Sequence, residues 1–284
     1  MLRAIALGAC VALIPGGAVA QPDEPTQFFV PMGGDSLWVG MYEPPTDASP
    51  AQGLVLIPGF AAVGQDVLGL GRSLSELGSY VFVLQPRGHG PSSGWATFSN
   101  ALEDVGAVLE WLRTTETLPA RARGPVALGG HSWGGGIALA YAAEHPEVGR
   151  VVAIAASDHG VFIRRVDEDP DYGESFRTGL GALQASGDLV RFDVEADFAE
   201  LRSDWKRHDL ATIAPRLADR DLLLIVGWDD ESVEVEYQVL PFYRALGRAE
   251  AKTVRILGYQ DDHSFGSSRS QIVGAIHDWL REEP

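Results

Sequence analysis

A serine flanked by glycines, Gly130-His131-Ser132-Trp133-Gly134, is the grouping in this chain best suited to chemistry. A serine alcohol is a weak nucleophile, so it must be held clear of its neighbours and beside a base. Val126, Ala127 and Leu128 before the motif read as a short strand. Ile137, Leu139, Ala140 and Tyr141 after it read as a helix that Pro146 ends. Strand, sharp turn with serine at the tip, then helix: this is the context of a nucleophile elbow. Gly130 and Gly134 remove Cβ atoms that would crowd such a turn. The helix that follows aims its N-terminal amides at the point where negative charge develops in acyl transfer. Taken alone, the pattern also fits a glycine-rich helix start with a capping serine. Its partners must decide.

The elements that would position those partners alternate along the chain. Phe28–Val30 and Leu37–Tyr42 read as strands joined at Gly33-Gly34-Asp35. Gly53–Ile57, Tyr80–Leu84, Arg150–Ala156, Leu222–Val226 and Thr253–Leu257 are short apolar runs, as expected of strands covered on both faces. Helical spacing runs through Val67–Leu77 with Gly78 as its stop, and through Leu102, Val105, Val108, Leu109 and Leu112, with Ser99 or Asn100 as the cap. Two more helices are expected at Glu236–Leu246 and Ser268–Leu280. Buried strands alternating with amphipathic helices predict a mainly parallel sheet with helices on both faces. Between Ala156 and Asp221 the rhythm breaks. Glu174–Leu183 and Val194–Trp205 read as helices there, and a structureless loop of that length would be unusual. A helical cap insertion over 157–220 is the expectation.

Composition bounds the function. The 284 residues are 45% hydrophobic, enough for one large α/β domain, and 22 basic against 39 acidic residues leave a net charge of −17. Such a surface repels phosphate backbones and anionic lipid, so neither nucleic acid nor membrane is an expected partner. Residues 1–20 read as a secretory signal, with Arg3, an apolar run from Ala4 to Ile14, and Ala18-Val19-Ala20 before Gln21. The run is too short to span a bilayer, and 21–284 would be the exported, single-domain chain. Leu7-Gly8-Ala9-Cys10 offers a rival reading as a lipoprotein signal. Cleavage after Ala20 would remove Cys10, the one cysteine, and leave no thiol chemistry. Gly69-Leu70-Gly71 lacks the third glycine of a dinucleotide site, and no His-Glu-x-x-His or paired cysteines suggest zinc. The acidic runs Asp167–Asp171 and Asp229–Glu231 could attract calcium, or be solvated loops.

Four features then occur in a familiar order: Pro58-Gly59-Phe60 after an early strand, Arg87-Gly88-His89-Gly90-Pro91-Ser92 after the next, the elbow, and acid and histidine loops near the end. In this the chain resembles the α/β-hydrolase superfamily from about Leu37 onward. Gly227-Trp228-Asp229-Asp230 through Asp262-His263-Ser264-Phe265 resembles prolyl-oligopeptidase-like and dienelactone-hydrolase-like members in particular. The resemblance implies an α/β-hydrolase fold with Ser132 as nucleophile. It implies His263 as base over His131, His145, His159, His208 and His277. It also implies Asp230 as the acid that fixes the imidazole tautomer, since the family's spacing from Gly227 selects it; Asp229 and Asp158 remain alternatives. Asp261 and Asp262 would shape the base's loop. The oxyanion hole would use the amides of Phe60 and Trp133, although Pro58 stands where the family commonly has histidine. Trp95, Phe98, Phe162 and Phe176 could line a substrate pocket or be ordinary packing.

The expected activity is that of an exported serine esterase working through an acyl-enzyme, with no cofactor and no metal. The substrate would be a small ester or a short peptide. A serine peptidase is the second enzyme reading, and a non-catalytic ligand-binding member of the fold is the third.

Overall fold

Eight strands form one sheet in the order β1-β2-β4-β3-β5-β6-β7-β8. They are β1 (Thr26–Met32), β2 (Asp35–Tyr42), β3 (Gly53–Ile57), β4 (Val81–Gln85), β5 (Val126–His131), β6 (Arg150–Ile154), β7 (Asp221–Gly227) and β8 (Thr253–Tyr259). β2 runs antiparallel to both β1 and β4, and the other neighbours are parallel. This computed structural model describes residues 24–282, apart from 47, 49, 50, 63 and 65. The leader read over 1–20, and Cys10 with it, lies outside the described residues.

The helices are α1 (Leu70–Glu76), α2 (Phe98–Thr114), α3 (Trp133–Glu144), α4 (His159–Glu168), α5 (Pro170–Ser186), α6 (Val194–His208), α7 (Leu210–Ile213), α8 (Leu240–Arg248) and α9 (Arg269–Arg281). Strand alternation sorts their partners. Val55 and Ile57 of β3 face a core shared with Val105 of α2, Ile137 of α3 and Phe242 of α8. Leu54 and Leu56 face the opposite core, which holds Leu70 and Leu74 of α1 and Ile272 and Trp279 of α9. The central strands are therefore buried on both sides, which is why they read as unbroken apolar runs. No helix among the described residues is long and apolar enough to cross a membrane.

Several boundaries differ from the sequence expectation, each for a local reason. The helix expected from Val67 begins at Leu70, because Leu68 and Gly69 take positive φ and the Asp66 carboxylate accepts from the amides of Gly71 and Arg72. α2 is capped by Thr97, whose hydroxyl accepts from the Asn100 amide, not by Ser99 or Asn100. β6 stops at Ile154, since Ala155 turns to φ 42°. α8 starts at Leu240 behind a π turn over Val235–Val239, and Pro241 has no amide to extend the earlier expectation from Glu236.

The excursion between β6 and β7 carries four helices, α4 to α7, where two were expected. α4 was not anticipated; the Asp158 side chain caps it by accepting from Val161 N. α5 extends to both sides of the expected Glu174–Leu183, started by Asp169 as cap and Pro170 in the first turn. α6 runs on past Trp205 to His208 with a non-helical residue at Asp204. Two ties bind the excursion to the loop after β4. Glu200 of α6 accepts from Phe98 N and Ser99 N, capping α2 from outside. Residues 189–191 lie along 88–96, with Arg191 N donating to Gly88 O, Ala96 N to Arg191 O, and Gly90 N to Leu189 O.

A buried ion pair locks the sheet to α9. Arg150 is 4% exposed; its Nε donates to Asp221 Oδ2 at 3.0 Å and its Nη1 to Gln52 Oε1 at 2.7 Å. Its guanidinium also bonds the Trp279 carbonyl and lies 4.2 Å from the Trp279 ring. Arg150→Met would fill the space but leave the buried Asp221 carboxylate only its longer, 3.8 Å contact with Arg255. A loss of about 3 kcal/mol is expected in urea unfolding; an unchanged midpoint would show that the pair contributes nothing.

Candidate active site

Ser132 stands between β5 and α3 at φ 56°, ψ −123°, a conformation that an L-residue holds only under constraint. The constraint is visible on both sides. Ser132 N donates to Ile154 O at 2.9 Å, and Ser132 O accepts from Ser157 N at 3.0 Å, so the end of β6 clasps the turn. At Gly134 an added Cβ would lie 2.4 Å from the carbonyl oxygens of both Ile57 and Pro58. Only glycine lets α3 approach the end of β3 this closely. Behind the turn, α3 is buried from Trp133 through Ala143, its Gly- and Ala-rich sequence suiting a helix enclosed on all sides.

The histidine and acid loops meet at the same end of the sheet. His263 Nδ1 donates to Asp230 Oδ2 at 2.7 Å, and Asp230 Oδ1 accepts from Ser232 N and Val233 N, both at 2.8 Å. The Asp230 side chain is 1% exposed. Three donors thus hold a desolvated carboxylate in one orientation, and it in turn sets the His263 tautomer. The loops can touch because Gly227 is bare: a Cβ there would come within 2.6 Å of Asp261 O. Asp261 accepts from Ser267 N and Ser268 N, and Asp262 from Ser264 N, so both carboxylates tie the histidine loop to itself.

Geometry separates the alternatives. Asp229 is exposed and accepts from Gln260 Nε2. Asp158 is fully buried, caps α4, and accepts from Leu210 N at 3.0 Å; burial lifts its carboxyl to about 7. Neither meets His263. Of the other histidines, His145 stacks on Tyr141 at 3.9 Å beside the exposed Glu147, and His277 lies on α9. His131 instead braces the histidine loop: its Nε2 donates to His263 O at 2.9 Å, with ring centroids 4.6 Å apart. Burial pushes its pKa down to about 3, so it does this as a neutral ring.

The Phe60 loop lies against the elbow, for a Cβ on Gly59 would be 3.4 Å from Ser132 Cβ. Trp133 is the first residue of α3, where an amide has no intrahelical acceptor. Among the described residues no acceptor meets the Phe60 amide either, and the Ser132 hydroxyl has no hydrogen-bond partner, His263 included. Of the four aromatic candidates, Phe98 packs on Trp133 and on His159. Phe162 and Phe176 pack on each other within the excursion, and Trp95 is 59% exposed. Asp167 pairs with Arg202 and Asp169 caps α5. Among the described residues no acidic, histidine or cysteine cluster could hold a metal ion.

Behind the elbow lies a group that sequence reading passed over. His89, His159 and His208 are 0–3% exposed and, with Phe60, Phe98, Trp133 and Phe192, form one continuous aromatic cluster. Only the Arg87–Ser92 motif around His89 hinted at it; histidines scattered through three elements carry no periodic signal.

The family model for the alpha/beta hydrolase fold matches residues 53–261. The chain belongs to the α/β-hydrolase family. Among solved structures it is similar to Est1E from Butyrivibrio proteoclasticus, at 15% identity and TM-score 0.65, covering 89% of this chain and 97% of that one. It is similar to an acylaminoacyl peptidase from Pyrococcus horikoshii, at 16% identity and TM-score 0.65, covering 92% of this chain and 42% of that one. A third is XC6422 from Xanthomonas campestris, described as a serine hydrolase without lid, at 21% identity and TM-score 0.56, covering 93% and 98%. No curated protein matches the sequence. Family membership, with esterase and peptidase neighbours, supports a hydrolase.

Burial in the histidine cluster has a pH signature. Desolvation lowers the His208 pKa from 6.5 to about 4, so the folded ring stays neutral where the unfolded one takes up a proton. Its contribution to stability is full above pH 6.5 and is lost as the pH falls toward 4, by up to about 1.4 kcal/mol per pH unit. His208→Phe should therefore gain stability relative to wild type steadily between pH 6.5 and 4.5 in urea titrations. A difference independent of pH would contradict this.

Proposed function

We propose that this chain is an exported serine hydrolase that cleaves carboxylic esters of small substrates. Ser132 is its nucleophile, His263 its base, Asp230 its acid, and the amides of Phe60 and Trp133 its oxyanion hole. The observation that carries the reading is the 2.7 Å pair between His263 Nδ1 and the buried Asp230, at the end of the sheet where Ser132 is held at φ 56°. With substrate bound, His263 Nε2 takes the Ser132 proton as Oγ attacks the ester carbonyl. The carbonyl oxygen becomes an oxyanion facing the two amides, and Asp230 stabilises the imidazolium. The imidazolium protonates the departing alkoxide, leaving an acyl-Ser132. Water, deprotonated by His263, attacks this acyl group, and the proton returned to Ser132 releases the acid. No cofactor or metal takes part.

The ester reading is favoured over the peptidase reading by extent of match: the chain spans 89% of the Pyrococcus furiosus esterase Pf2001 but 42% of the Pyrococcus horikoshii acylaminoacyl peptidase. A non-catalytic role is disfavoured, because nucleophile, base and acid can all be assigned. Export is read from Arg3, the apolar run that follows it, and Ala18-Val19-Ala20.

A fluorophosphonate probe should label the folded protein at Ser132, and Ser132→Ala should abolish labelling and ester turnover. Asp230→Asn should lower kcat by about 10⁴-fold with little change in KM, by releasing the wrong imidazole tautomer. Aryl esters should be turned over faster than aminoacyl amides. Turnover in Ser132→Ala equal to that of wild type would sink the mechanism, and a preference for the amides would transfer the assignment to the peptidase reading.

A further inference from the structure

We propose that His89 is a positioning residue for the oxyanion hole, bracing the two residues that supply its amides against each other. This rests on the serine-hydrolase reading above. Phe60 comes from the loop after β3 and Trp133 from the start of α3, so their amides keep a fixed separation only if something ties those two segments together. Glycine packing at the elbow does this for the backbone; the side chains do it a second time. The Phe60 and Trp133 rings meet at 5.9 Å between centroids. His89 packs edge-on against Phe60 at 5.6 Å and tilted against Trp133 at 5.2 Å. Three rings thereby close a triangle, and the third corner lies in the loop after β4.

That corner is itself fixed. His89 is fully buried, its amide donates to Pro86 O at 3.0 Å, and its Nδ1 donates to Arg87 O at 3.3 Å. Gly88 before it has φ +81°, and a Cβ there would lie 2.3 Å from Ala96 N, so this loop has little freedom to shift. Phe192, 1% exposed, presses on Phe60 at 4.9 Å, and Val190 pairs with His89 as an isolated bridge. Burial lowers the His89 pKa to about 4, so at neutral pH the ring packs as an uncharged aromatic. Oxyanion donors act only when they lie at hydrogen-bond distance from the charge that develops. His89 reaches them through Phe60 and Trp133.

The test compares His89→Ala and His89→Phe with wild type by ester kinetics, by the affinity of a trifluoromethyl ketone, and by thermal midpoint. The ketone forms a tetrahedral oxyanion at the serine and so reports on the hole. His89→Ala should lower kcat by about 30- to 100-fold with KM within about twofold, and weaken the ketone by the same factor as kcat. His89→Phe, which keeps an aromatic surface against both rings, should recover most of both. If the alanine variant does not fold, Phe192→Leu, which removes the ring on the far side of Phe60, should lower kcat and ketone affinity together by about 3- to 10-fold. Ketone affinity unchanged in folded variants, or activity lost only in proportion to the unfolded fraction, overturns the assignment. Turnover that survives Ser132→Ala overturns the hydrolase reading and this assignment with it; turnover that needs Ser132 but ignores His89 overturns this assignment alone.

Discussion

Close approach between α3 and the end of β3 is the constraint on which this end of the molecule depends. Two carbonyl oxygens stand where a Gly134 side chain would begin, and interiors this tight do not yield by small amounts. Because the helix sits so near, the turn before it must be sharp, and Ser132 is driven to positive φ. Because the turn is sharp, the serine's peptide groups are offered sideways, where Ile154 and Ser157 bind them. β6 therefore ends early, and the chain leaves the sheet into α4.

Electrostatic roles at the site are divided by burial. Outside, the chain is strongly acidic. Inside, imidazoles stand close together without charge: His131 is held neutral by desolvation behind His263, and His89 and His208 likewise beside the elbow. The one buried carboxylate in contact with an imidazole ring here is Asp230, and it accepts two backbone amides as well. At this end of the sheet the fold thus sets one buried carboxylate against an imidazole and fixes it with backbone donors.

Much of the fold was legible because the central strands are buried on both faces, and burial writes itself as continuous Val, Leu and Ile. The elbow was legible because its glycines answer a steric demand that does not depend on distant residues. Asp230 over Asp229 was reached through family spacing; what separates them physically is that the amides of Ser232 and Val233 turn back onto one carboxylate, while the other faces solvent and Gln260. Helix limits were missed where the capping residue stood outside the apolar run, as Thr97 does before α2 and Asp169 before α5. Asp66 caps α1 across a pair of left-handed residues, and Glu200 caps α2 from a hundred residues away. The aromatic and histidine cluster was barely legible, since its members lie in the loops after β3 and β4, the elbow, the start of α2 and the excursion, and only the fold makes them neighbours.

The ties between 189–191 and 88–96 bear on how such proteins diversify. Excursions between these two strands look like exchangeable modules, joined to the sheet at two points and free to vary. Here the module is laced by backbone hydrogen bonds into the loop after β4, and its Phe192 rests on Phe60. A transplanted excursion from a relative would have to bring its own version of that loop or leave Gly88, Gly90 and Ala96 with unmatched backbone groups. In this chain the two segments form one packed unit, and a change in either must be matched in the other and in the Phe60 loop that Phe192 touches.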